Sequence, residues 1–466
     1  MGINEIIDAH FEELVKDVQG VVQMKSVLEE SQMTAEHPFG SALSHALDDF
    51  LRRAASMGFK TRNIENYAGI VEMGDLGPLI GILAHLDVVP EGRANSWKHP
   101  PYEAVIEDGK IYGRGTIDDK GPAVSALYAM RALKESGEPL KARFRLILGL
   151  DEESGSRCVL RYLKTEEIPA FSFSPDAMFP VINAEKGIVR FTWKRTIHAC
   201  VTPDVKKPYL AYLQGGDRLN VVPDEAVARF RNSSVEELTE IFKNTTDSFR
   251  SNGSDIDVVF KGIPAHAMEP WKGKNAVQLM IQALAQADFS PKETKDAMAD
   301  LYKVLQLDMD GKSMGVLGED AISGPLTCNV AFISFDGEEL LLKFDIRYSV
   351  TMDSALLLQQ LEIAAERAGS EFHLLQHKPP LYLDSESTVI QKLLTAYKAV
   401  TGEEGHAFGI GGGTYCRFFP NAVSYGPLFP GEEETAHQPN EFIAIESLKR
   451  MTHIYAEALR QFNIQE

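Results

Sequence analysis

The chain has 466 residues, and 47 Lys and Arg against 67 Asp and Glu leave a formal charge of −20. This balance argues against a nucleic-acid partner, because phosphate affinity rests on basic side chains releasing counterions. A hydrophobic fraction of 44% with 24% charged residues is globular composition, and no run of about 18 uncharged apolar residues offers a membrane-spanning helix.

The opening segment is acidic and amphipathic, where a secretory signal is basic and then apolar. Ile6 stands where a myristoylation motif needs Ser or Thr. Neither export nor a lipid anchor is expected. The four cysteines, Cys158, Cys200, Cys328 and Cys416, are too dispersed for a metal clip or a disulfide framework, and read as free thiols of a reducing cytoplasm.

In chain order, residues 4–22 place Ile6, Ile7, Phe11, Leu14, Val15 and Val18 at helical spacing, and residues 42–57 form a second amphipathic helix. The run PLIGILAHLDVV, residues 78–89, is largely apolar, of strand length and bounded by Gly77 and Pro90, which suits a buried strand of an α/β sheet. A helix over residues 122–135 and an apolar strand over residues 144–150 follow. This alternation predicts a mostly parallel sheet flanked by helices. From residue 188 to about 380 the pattern changes. Short strands such as IVRFTWKRT, IDVVFKGI, CNVAFISFD and LLLKFDIRYSV alternate with helices over residues 275–287, 292–305 and 354–368, an antiparallel α+β insertion. A helix over residues 388–401, a glycine-rich turn, an apolar strand near Val423 and a last helix over residues 442–462 complete the chain.

The chemistry concentrates at strand ends. His85 and Asp87 share one face of their strand, at the carboxyl end where such sheets place ligands. A lone His-x-Asp pair is more often an ordinary hydrogen-bonded strand end. Company changes its weight: Asp118 and Asp119 sit together in the glycine-flanked loop GRGTIDDKG, and Asp151, Glu152 and Glu153 cap a hydrophobic strand. One helix cap would explain one acid of the pair, and three adjacent acids repel unless something positive lies between them. Asp176 in FSPDA and His437 in TAHQPNE join them; singly they would read as a turn aspartate and a surface histidine. Together, imidazoles and carboxylates form a donor set for zinc, manganese or cobalt.

Other motifs fail. None of the 12 histidines precedes Glu, so the H-E-x-x-H zinc helix is absent. Thr414 occupies the last glycine position of a dinucleotide fingerprint in GIGGGT, and Gln306 stands where a phosphate loop ending at Gly311-Lys312-Ser313 needs glycine.

The blocks HLDVVP, GRGTIDDKGP, DEESG, SPDAMFPVINAEKG and HQPNE resemble, in order and spacing, those of the two-metal peptidases and deacylases. That family includes carboxypeptidase G, carnosinase, acetylornithine deacetylase and succinyl-diaminopimelate desuccinylase. The resemblance runs nearly end to end and is strongest to its bacterial Xaa-His dipeptidase branch. It implies a zinc-peptidase-like catalytic domain of mostly parallel sheet and flanking helices from residues 1–186 and 382–466, with an inserted α+β lid over residues 187–381.

The resemblance further implies two divalent metal ions, zinc first, with manganese or cobalt as alternatives. His85 and Asp176 would bind one, Glu153 and His437 the other, and Asp118 both. Asp87 would orient His85, Glu152 would act as general base, and the Asp118–Asp119 peptide would be cis. From the lid, His266 would stabilise the oxyanion, Asn220 would polarise the carbonyl and Arg347 would hold the substrate carboxylate. Without the resemblance, these three read as lid-core polar groups or surface residues. Gly413 and Thr414, in the glycine run, would offer backbone N–H groups to that carboxylate, although a mobile turn is an equal reading. Met268 departs from the small residue expected two positions after His266. The expected activity is hydrolysis of unblocked dipeptides by a cytoplasmic monomer. The alternatives are an N-acyl amino acid deacylase or desuccinylase using the same site, and a silent binding module, which would require a broken ligand set.

Overall fold

The computed structural model describes residues 1–198, 207–243 and 245–464, and Cys200 lies outside them. The chain divides into two compact units: Met1–Ala184, Tyr382–Phe408 and Gly413–Glu466 form the first, and Glu185–Leu381 with Gly409–Gly412 the second.

At the centre of the first unit four adjacent strands run parallel: Arg143–Gly149, Leu79–His85, Phe171–Ser174 and Ala422–Ser424. Antiparallel strands Ala68–Met73 and Lys60–Ile64 extend the sheet beyond Arg143–Gly149. Every residue of Leu79–His85 is buried, because its side chains are apolar on both faces and both are covered. Helix Lys120–Glu135 packs on this strand and against helices Ile445–Asn463 and Ile3–Val22. Parallel alignment puts strand ends together: His85 pairs with Gly149, so the acids that follow Gly149 emerge beside it. Phe171–Ser174 also pairs with Leu79–His85, and Asp176 follows two residues beyond its end.

Two elements differ from expectation. Residues 442–444 form a strand, Phe442–Ala444, and the last helix begins at Ile445. The strand pairs with Lys110–Tyr112, which pairs with Val105–Glu107; Ile443 and Ile111, partners across the ribbon, are both buried. Aromatic and β-branched side chains favour this half-buried surface over a first helical turn. A short helix, Arg157–Thr165, also follows the acidic run and buries Cys158, Val159 and Tyr162.

The second unit is an eight-stranded antiparallel sheet in the order Ser248–Asn252, Asp255–Lys261, Glu225–Arg231, Tyr209–Gly215, Thr327–Phe335, Glu339–Tyr348, Gly187–Thr196 and Glu371–Lys378. Helices Ala276–Gln286, Lys292–Leu305 and Ser354–Arg367 contribute to its core, where the rings of Phe191 and Phe344 stack at 4.6 Å. Asn275 and Asp353 cap the first and last of these helices through their side-chain oxygens. Among the described residues no helix is long and apolar enough to cross a membrane, and Cys158, Cys328 and Cys416 are buried free thiols.

Candidate metal centre

The imidazole of His85 lies at the carboxyl end of the central strand, only 1% exposed. Its Nδ1 donates to the main-chain carbonyl of Asp87 at 2.9 Å, which leaves Nε2 as the atom that faces the neighbouring acids. Asp87 therefore orients the ring through its backbone; its carboxylate stands farther off, 3.5 Å from Nδ1, and accepts the Glu153 N–H at 3.0 Å.

Nε2 is 3.0 Å from Asp118 Oδ1 and 3.7 Å from Asp176 Oδ2. It makes no hydrogen bond of acceptable geometry despite being buried. The other oxygen of Asp118 is 2.9 Å from His437 Nε2, which lies 3.0 Å from Glu153 Oε1. Two triads result, His85–Asp118–Asp176 and Asp118–Glu153–His437, with Asp118 common to both. The Asp118–Asp119 peptide is cis, as the resemblance implies. Asp119 turns one buried oxygen to the His85 N–H at 3.1 Å.

The electrostatics point the same way. Burial, reinforced by Asp118, pushes Asp176 up to about 6 and Glu153 up to about 7. Burial and the charge of Asp176 raise Glu152 well above the usual carboxylate range. Asp118 is held far below that range despite its burial by the imidazoles of His437 and His85 that face its two oxygens. Burial would lower His437, but bonds to Asp118 and Glu153 lift it to about 11. The cluster is strongly negative and draws protons onto its imidazoles, a demand that divalent cations satisfy equally. Nitrogen and carboxylate donors, an orphaned buried Nε2 and a shared carboxylate all fit a pair of such cations. Glu152 makes no side-chain hydrogen bond among the described residues, so its carboxylate is uncommitted.

Three supporting residues were given no role of their own from the sequence. Asp151, the first acid of its run and fully buried, turns away from the cluster to Arg157, accepting its guanidinium at 2.8 and 2.9 Å and its N–H at 2.9 Å. Thus part of the like-charge problem among these acids is solved by an arginine. Tyr415 sets its ring edge-on to His85, with centroids 6.2 Å apart, and its hydroxyl meets Cys158 Sγ at 2.8 Å. A Cβ on Gly149 would fall 2.1 Å from that hydroxyl, which explains the glycine. Glu441, fully buried, accepts N–H groups from the loop that carries Asp118. The signal for it was slight: an acid placed directly before an apolar strand.

Thr414 uses its hydroxyl to cap the turn Tyr415–Phe418 and meets Ser424 at 3.1 Å. A ligand at this point would therefore meet backbone. A Cβ on Gly413 would fall 1.9 Å from the Arg417 guanidinium, so that side chain would have to move.

In the second unit Asn220, His266 and Arg347 lie on connected elements. The carbonyl of Asn220 accepts the Ala267 N–H at 2.8 Å, and Val221 bridges His266. Burial and the Arg347 charge lower the pKa of His266. Arg347 is buried and donates to Asp345 at 2.5 and 3.2 Å and to the Gly411 carbonyl at 3.1 Å, which leaves two of its five N–H groups for a ligand. Met268 packs on Gly411, where an added Cβ would lie 2.6 Å from its own.

A model of peptidase family M20/M25/M40 matches residues 81–461. A Bacillus subtilis protein named "Putative dipeptidase YtjP" is 37% identical over 460 residues, covering 96% of each chain. Among solved structures, an M20 family metallo-carboxypeptidase of Sulfolobus solfataricus superposes with a TM-score of 0.60 at 18% identity, over 97% of this chain and 100% of that one. Human carnosine dipeptidase 1 gives 0.58 at 15% identity, over 99% and 98%. At these identities the structural likeness speaks for the fold.

Proposed function

The chain belongs to peptidase family M20/M25/M40 and is a peptide-bond hydrolase, and we propose that it hydrolyses unblocked dipeptides with two divalent metal ions. His85, Asp118 and Asp176 would hold one ion and Asp118, Glu153 and His437 the other. Zinc suits the donor set first, manganese or cobalt next. The observation that carries this reading is the pair of triads sharing Asp118. When bound, the two cations would supply Lewis acidity to the scissile carbonyl and to the attacking water.

The chain's own groups complete the reaction. Glu152, uncommitted and raised in pKa by burial, takes a proton from the attacking water and returns it to the departing amine as the C–N bond breaks. His266 donates to the developing oxyanion and Asn220 polarises the carbonyl. The free N–H groups of Arg347 and the backbone at Gly413 and Thr414 receive the substrate carboxylate. Residues 187–381 act as a lid that supplies His266 to its own chain, so the enzyme works as a monomer, and the dispersed cysteines suit a reducing cytoplasm.

The test is an assay of metal-reconstituted protein on a mixed panel of dipeptides and N-acyl amino acids. Turnover of unblocked dipeptides is expected, with Glu152→Ala binding metal yet inactive. Turnover confined to N-acyl amino acids would replace the dipeptidase reading with deacylation, and a sedimentation profile of an obligate dimer would overturn the monomer.

A further inference from the structure

Glu441 is buried to 0% exposure and takes no part in the proposed reaction. A carboxylate in such a place destabilises the fold unless its charge and lone pairs are satisfied. Its Oε1 is satisfied in an unusual way: it accepts the N–H groups of Gly115 at 2.9 Å, Ile117 at 3.1 Å and Asp118 at 3.4 Å. Its Oε2 takes Nη1 of Arg114 at 2.5 Å, and its carbonyl accepts the Gly113 N–H at 2.9 Å. Gly115, with φ of +89°, lets the loop curl so that these amides converge. The last of the three amides belongs to Asp118, the shared member of both triads.

The same segment carries His437, four residues upstream. Arg114 Nη1 also reaches the Gln438 carbonyl at 3.3 Å, and its guanidinium stacks over Trp97 at 5.2 Å. Asn440, at φ of +65°, accepts the Lys98 N–H at 2.5 Å and donates to the Ser96 carbonyl at 3.2 Å. The segment 437–441 is thus held from both sides, and its one buried acid grips the loop whose carboxylate faces His437.

We propose that Glu441 is a positioning residue: by gathering the amides of residues 115, 117 and 118 it sets where Asp118 stands, and it ties that placement to His437. The inference rests on the two-metal reading. It differs from a plain buried ion pair, which would stabilise the fold without governing the second metal.

The experiment follows cobalt(II) uptake by the metal-stripped, full-length protein through its visible absorption. The double variant Arg114→Met/Glu441→Met removes the ion pair without stranding a buried cation. It is expected to keep its fold by circular dichroism, to bind the second cobalt equivalent about 10- to 100-fold more weakly, and to lose a similar factor in kcat with KM little changed. Arg114→Met/Glu441→Gln returns an amide oxygen to the three N–H groups and is expected to recover most of both losses. Should the first double variant not fold, Glu441→Asp carries the same expectation, since it keeps the charge opposite Arg114 but withdraws it from the amides. Unchanged affinity for both equivalents in a folded variant, or no difference between the Met and Gln double variants, would overturn the inference alone. A wild-type protein that takes up no cobalt would overturn the two-metal reading and this inference with it.

Discussion

The two triads share Asp118, yet one is part of the sheet and the other is assembled on it. His85 ends the central strand with its side chain 1% exposed, its Nδ1 bonded to the Asp87 carbonyl and its ring braced by Tyr415. His437 is 53% exposed in its side chain and sits at φ of +63°. It comes from the far end of the chain and is placed by a three-residue strand and the anchors around it. The contrast teaches that a core strand can preset one cation position, whereas the other depends on a docked segment and stays open. The proposed chemistry needs both, a fixed support and an accessible face.

The shared carboxylate gives the largest expected effect. Asp118→Ala should abolish uptake of both cobalt equivalents and bring dipeptide turnover to background; retention of either equivalent at wild-type affinity would break the common-ligand picture. Glu152→Gln should lower kcat by about 10²- to 10⁴-fold, the range of a lost proton-transfer group, while both equivalents still bind. Loss of metal in that variant would make Glu152 a ligand.

The histidines then test the contrast itself. His85→Ala and His437→Ala should each cost one equivalent. Only the buried substitution should also lower the thermal midpoint of the metal-free protein, by about 1–2 °C for each kcal/mol lost, because it opens a void at the strand end. Equal melting of the two variants would show that the supposed difference in construction has no energetic content.

How much of this was legible in the chain depended on whether a signal was local. Leu79–His85 declares itself as a largely apolar run, and Lys292–Leu305 and Thr388–Thr401 keep the bounds that their patterns set. The acids and histidines were identified by the blocks in which they occur, and parallel strands explain how three of those blocks meet. What was not legible rests on pairing across long separations. Phe442–Ala444 joins Lys110–Tyr112 with too few residues for any periodicity, so a helix was expected from residue 442 and the grip of Glu441 went unseen. Asp151 looked like one of three equal acids, and only the turn into Arg157–Thr165 reveals that it faces an arginine. Nor does a His-x-Asp pattern tell a carboxylate from a carbonyl as the partner of Nδ1.

The smallest expected effect concerns protons. In the metal-free protein burial would lower His437, yet Asp118 and Glu153 hold its proton up to about 11, so a cation entering the open triad at neutral pH must displace it. Glu153, raised to about 7 by burial and Asp118, gives up a second proton when the pH lies below that value. In the buried triad His85 is likewise kept protonated well above its ordinary range, although burial opposes this, and Asp176 is raised only to about 6. Each displaced proton makes apparent affinity rise about tenfold per pH unit. Both cobalt affinities should therefore climb with pH, with a slope near one where Glu153 and Asp176 are ionised that steepens towards two as they take up protons. The steepening should set in above the usual carboxylate range, because burial and the Asp118 charge raise both Glu153 and Asp176. Cobalt titrations from about pH 5.5 to 8 read this change of slope; affinities flat in pH would contradict the displacement of protons from the two triads.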